Sequence, residues 1–97
     1  MRKTFTLTHP KIKVPRLVDA VKSDIRKYVK RERRKDLPDG VDFWDFDCKF
    51  GSTADVAQTV HLTALNKCVD EAEKQELSSF YIEILAKPGV RQKKPDR

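Results

Sequence analysis

Apolar residues recur along this chain with two different periods, and the switches between them mark six elements. Lys3 to Thr8 alternates, with Phe5 and Leu7 on one side and Thr4, Thr6 and Thr8 on the other, which predicts a short half-buried strand. His9-Pro10 ends it, because proline supplies no ladder donor. Pro15 then stands where a helix tolerates proline, in the first turn, and Leu17, Val18, Val21, Ile25, Tyr28 and Val29 follow at helical spacing. The next position on that stripe is Glu32, so the apolar seam is expected to end at Val29 and residues 30–35 to form a last turn projecting past the core. Leu37-Pro38-Asp39-Gly40 stops the helix with a pre-proline residue and a turn.

Val41 to Phe50 returns to strict alternation. Trp44, Phe46, Cys48 and Phe50 share one parity, and Phe43, Asp45, Asp47 and Lys49 share the other. The first set must face the core, since a one-residue slip would bury two aspartates. Ala57 to Leu62 reads as a weaker strand with Thr59 and His61 on its polar side. Thr63 is placed to cap a second helix whose buried stripe is Leu65, Cys68, Val69 and Ala72, and Asp70, Glu71, Glu73 and Glu76 make the rest of it acidic. Phe80 to Ala86 is the last strand, with Phe80, Ile82, Ile84 and Ala86 inward and Tyr81, Glu83 and Leu85 outward.

The order strand, helix, strand, strand, helix, strand predicts an α+β fold of ferredoxin-like βαββαβ type, with two helices on one face of a four-stranded antiparallel sheet. In that topology the second and fourth strands lie at opposite edges. One domain over residues 1–87 is expected, with Pro88-Gly89 ending regular structure and 88–97 forming a disordered basic tail.

Charge changes this picture by dividing it. Residues 1–40 hold 13 Lys/Arg against 5 Asp/Glu, residues 41–86 hold 3 against 9, and the tail adds 5 against 1. A basic surface and an acidic one are kept apart in one small protein. The longest unbroken apolar run is three residues, so no membrane span is expected. Arg2 and Lys3 are followed by Thr-Leu-Thr-His-Pro beyond Phe5 rather than by an apolar stretch, so no secretory signal is read. Cys48 and Cys68 stand far apart with no Cys-x-x-Cys. Together these features predict reduced thiols and a cytoplasmic protein.

Four segments stand out: Lys3-Thr4-Phe5 with Leu7-Thr8-His9-Pro10, the run Lys30 to Lys35, the stretch from Gly40 to Gly51 around Asp42-Phe43-Trp44-Asp45-Phe46-Asp47, and Phe80-Tyr81 with Ile84 to Gly89. Through them the chain resembles a family of small bacterial proteins of unknown function, each about this long. The resemblance implies a bacterial, cytosolic, single-domain protein and brings no activity, cofactor or catalytic residue.

The strongest chemical signal is Lys30-Arg31-Glu32-Arg33-Arg34-Lys35, with Lys22 and Arg26 on the solvent side of the same helix. Such a cluster suits phosphates, each neutralised phosphate releasing counterions, and the expected partner is structured RNA or a ribonucleoprotein bound with little sequence preference. The competing reading is internal: the cations complement the helix dipole, or pair with Asp70, Glu73 and Glu76 of the acidic second helix. Phe43, Tyr81 and Leu85 are candidates for a protein-binding or self-association surface on the outer sheet face. Asp45, Asp47 and His61 form a weak candidate for a divalent metal and hydrolysis, set against a plain solvated face. No glycine-rich phosphate loop, His-x-x-x-His or Gly-x-Ser-x-Gly occurs, so no cofactor and no catalysis are expected. Cys48 and His61 fall on opposite parities and make no nucleophilic pair.

Overall fold

The computed structural model describes residues 1–90. The chain runs β1 (Arg2–Thr6), α1 (Val14–Arg33), β2 (Phe43–Gly51), β3 (Gln58–Val60), α2 (Leu65–Lys74) and β4 (Ser79–Gly89), with single 3-10 turns at Ala54–Val56 and Leu62–Ala64. The alternation in residues 43–51 sorts as the sequence predicts. Phe46 and Cys48 are buried, Trp44 and Phe50 are half-buried against the core, and Asp45, Asp47 and Lys49 are exposed. Val18, Val21, Ile25 and Val29 of α1 and Leu65, Val69 and Ala72 of α2 join Phe5, Phe80, Ile82 and Ile84 in one core. Both helices therefore cover the same face of the sheet.

The fold is mixed α+β with two helices and a four-stranded antiparallel sheet, and the strand order is β1-β4-β2-β3. The ferredoxin-like expectation of β2 and β4 at opposite edges does not hold. They are the paired centre, in register from Phe43 opposite Gly89 to Gly51 opposite Tyr81. Length and burial explain the exchange. β4 is eleven residues long, and its inward Phe80, Ile82 and Ile84 are fully buried. Such a strand needs neighbours on both sides. β1 and β3, with five and three residues, take the edges, where short strands limit further pairing.

Four local expectations are also corrected. Pro88-Gly89 does not end the sheet: both residues continue β4, opposite Trp44 and Phe43. Strand residues alternate which edge their backbone groups face, and the Ile84 N–H donates toward β1, to the Met1 carbonyl. The nitrogen of Pro88, four residues on, faces that same side beyond the end of β1, where no ladder bond is needed. The remaining expected tail, from residue 91, lies outside the described residues.

Thr63 does not cap α2. The 3-10 turn Leu62–Ala64 runs directly into the helix, whose N-cap Ala64 makes no side-chain bond, and the Thr63 hydroxyl instead meets His61 Nδ1 at 3.0 Å. His61 thus lies past the end of β3 rather than in it. Finally, the end of α1 does not project past the core. Glu32 stays on the buried stripe at 8% exposure, the Trp44 indole N–H donates to the Lys35 carbonyl at 2.9 Å, and the Arg33 guanidinium sits 5.6 Å from the Phe46 ring centre. The last turn is laid down on β2.

Candidate nucleic-acid interface

Residues three or four apart on a helix share a face. Lys22, Arg26, Lys30 and Arg33 follow that spacing on the flank of α1 that turns toward α2. With Arg34 they line an open groove of about 590 Å³. The groove's other walls are Ile25 and Val29 from the buried stripe of α1, Leu62 from the 3-10 turn, and Asn66 from the first turn of α2. Five of the nine lining residues are cations and none is a carboxylate.

The acidic helix neutralises one end of this groove only. Lys22 Nζ meets Asp70 Oδ1 at 2.5 Å. Among the described residues, Arg26, Lys30, Arg31, Arg33 and Arg34 enter no salt bridge. Glu73 and Glu76, the other expected partners, line a separate cleft with Leu7, Thr8 and Val14. The competing reading of helix-to-helix pairing therefore holds for Lys22 and fails for the free cations.

Two expected members lie elsewhere. Arg31 stands on the opposite flank of α1, its guanidinium 5.5 Å from the Tyr28 ring centre. There it shares a smaller hollow with Lys3, Asp24 and Lys27. Lys35 Nζ pairs with Glu32 Oε2 at 2.5 Å. That pair and a hydrogen bond from Tyr28 hold the Glu32 carboxyl below its ordinary range. The sequence reading missed Leu62 and Asn66, which no local pattern marks. They reach the groove because the 3-10 turn and α2 fold back beside α1.

The other candidate sites disperse. Lys87 Nζ lies 2.7 Å from Asp47 Oδ1 and 3.9 Å from Asp45 Oδ2, so a lysine holds the two carboxylates together, while His61 bonds Thr63. Asp45, Asp47 and His61 are not gathered as proposed: among the described residues no group of three His, Cys, Asp or Glu side chains is arranged to hold a metal ion. Phe43, Tyr81 and Leu85 do not form one apolar patch either. Leu85 stands opposite Asp47, and the Tyr81 hydroxyl donates to Glu83 Oε1 at 2.8 Å. Phe43 packs its ring on Gly89, where a Cβ would fall 2.3 Å from Cε2. An ionic ladder of Arg2 with Glu83 and of Lys87 with Asp45 and Asp47 runs between these groups.

Both cysteines are free thiols. Burial pushes the Cys48 thiol up to about 11, and burial raises that of Cys68 as well. No helix among the described residues is long and apolar enough to cross a membrane. No curated protein and no solved structure matches the chain. Similarity at the level of a family is extensive: the chain belongs to DUF6172, a family of unknown function, matched over residues 1–95.

Proposed function

We propose that this protein is a non-enzymatic binding module that holds RNA, alone or within a ribonucleoprotein, through the basic groove of α1. The observation that supports this reading is the convergence of Arg26, Lys30, Arg33 and Arg34 on one open groove with no salt bridge to satisfy them among the described residues. Cations left unpaired on a shared concave surface raise the local concentration of phosphates and release counterions on contact. The outer sheet face favours the alternative of a protein-binding surface less, because the ion pairs Arg2–Glu83 and Lys87–Asp47 separate Phe43, Tyr81 and Leu85 there. The reading fits a cytoplasmic protein, where RNA is met and thiols stay reduced.

The test is a variant with Arg26, Lys30, Arg33 and Arg34 all changed to Gln. All four are exposed side chains beside the buried stripe, so the fold should persist. RNA binding by fluorescence anisotropy at low salt should fall at least tenfold, while the melting temperature stays close to that of the parent protein. Unchanged RNA affinity in a folded variant would defeat the proposal.

A further inference from the structure

We infer that the groove takes an unpaired nucleotide of an RNA strand, with its base on the apolar floor and its flanking phosphates on the cationic rim. This inference rests on the RNA-binding reading above and names the form of RNA that the groove selects.

The groove holds more than phosphate contacts require. A surface that only follows a duplex backbone needs exposed cations and no concavity. Here the cations surround a floor of Ile25, Val29 and Leu62. A nucleobase has two apolar faces and a polar edge, and in a duplex those faces are stacked and out of reach. An unpaired base offers them. Arg33 and Arg34 bring guanidinium planes to the same groove, and such planes stack on bases as well as holding phosphates.

Asn66 supplies the polar complement. It is exposed, lines the groove, and its side chain makes no hydrogen bond among the described residues. A carboxamide offers both donor and acceptor, the pair that a base edge presents in return. Along α1, Arg26 and Lys30 are four residues apart, a rise of about 6 Å. That is comparable to the step between neighbouring phosphates on a strand. The rim can therefore hold consecutive phosphates while the base between them turns inward.

The experiment compares four probes by anisotropy at one low salt concentration: a short mixed-sequence RNA strand, the same strand annealed to its complement, an abasic strand of equal length, and polyglutamate as a competitor. The single strand should bind roughly tenfold tighter than the duplex or the abasic strand, the factor expected when one base finds a binding surface. Asn66→Ala and Leu62→Ala should each weaken the single strand toward the abasic level and leave the abasic affinity unchanged. Asn66 is exposed, so its variant keeps a folded protein in the comparison even if Leu62→Ala does not fold. Equal affinity for all three RNA probes would overturn the base-in-groove inference and leave the basic-surface reading standing. Absence of binding to any RNA probe would overturn both. Polyglutamate displacing RNA charge for charge would overturn the nucleotide as occupant.

Discussion

Glu32 shows how one side chain links the core to the charged surface. It sits where the helical stripe calls for an apolar residue, yet it is buried with its carboxylate paired to Lys35. Its carboxyl titrates below the ordinary range in the folded protein. Ionised Glu32 therefore stabilises the fold at neutral pH, and that contribution fades as pH falls through the ordinary carboxylate value and then through the depressed one. Thermal melts from neutral to acidic pH should show the loss, and Glu32→Gln should flatten the acid limb. An identical acid limb in the variant would mean the carboxylate contributes nothing. The two thiols differ at the same scale. Cys48 is 1% exposed and Cys68 half-buried beside a small cleft, so iodoacetamide at neutral pH should modify Cys68 first and Cys48 only on unfolding. Mass spectrometry of a time course reads the order, and the reverse order would contradict the inward parity of β2.

At the scale of elements, two contacts pin the sheet to what lies around it. The Trp44 indole donates to the Lys35 carbonyl and fixes the end of α1 on β2. Trp44→Phe keeps an aromatic group but removes the donor and part of the ring, so denaturant unfolding should show a loss of at least about 1 kcal/mol, the worth of one such hydrogen bond. No loss would free the last turn to project, as the sequence alone suggests. Gly51 closes the other end of β2: an added Cβ would fall 2.6 Å from Ala57 Cα and 2.8 Å from Ala57 N. Backbone cannot swing aside, so Gly51→Ala should cost roughly 1–3 kcal/mol. Gly89→Ala should cost less, because the obstacle there is the ring of the partly exposed Phe43. The opposite ranking by chemical denaturation would refute this packing.

These elements were legible in the sequence to different degrees. The inward sets Phe46, Cys48 and Phe80, Ile82, Ile84 follow from period-two alternation, and Val18 to Val29 from helical spacing, because burial acts on each residue locally. Strand order is not local. Which of two amphipathic strands takes the centre depends on the length and burial of all four, and Pro88 reads as a stop although β4 continues through it on β2, beyond the end of β1. The cationic candidates were named from sequence. Their division was not: the shared face of Lys22, Arg26, Lys30 and Arg33 follows from helical spacing, but Leu62 and Asn66 come from the packing of a 3-10 turn and α2 against α1.

For the molecule as a whole, the separation of charge along the chain becomes a separation in space. The basic half supplies α1 and its groove. The acidic half supplies α2, which among the described residues meets that groove through the one pair Lys22–Asp70, and the carboxylates of the ladder on the far side of the sheet. On the far face, Arg2 is engaged by Glu83 and Lys87 by Asp45 and Asp47, which leaves Lys49 as the one outward cation of β2 outside a salt bridge among the described residues. RNA is then directed to one side of the protein, toward Arg26, Lys30, Arg33 and Arg34. The most direct measurement is the salt dependence of RNA binding by the parent protein, with log K followed against log salt concentration. Four phosphates held by those four cations on a single strand predict a slope of about −3. A slope near zero, or no RNA binding at the lowest salt, would contradict the central claim that this groove is an open phosphate-binding surface.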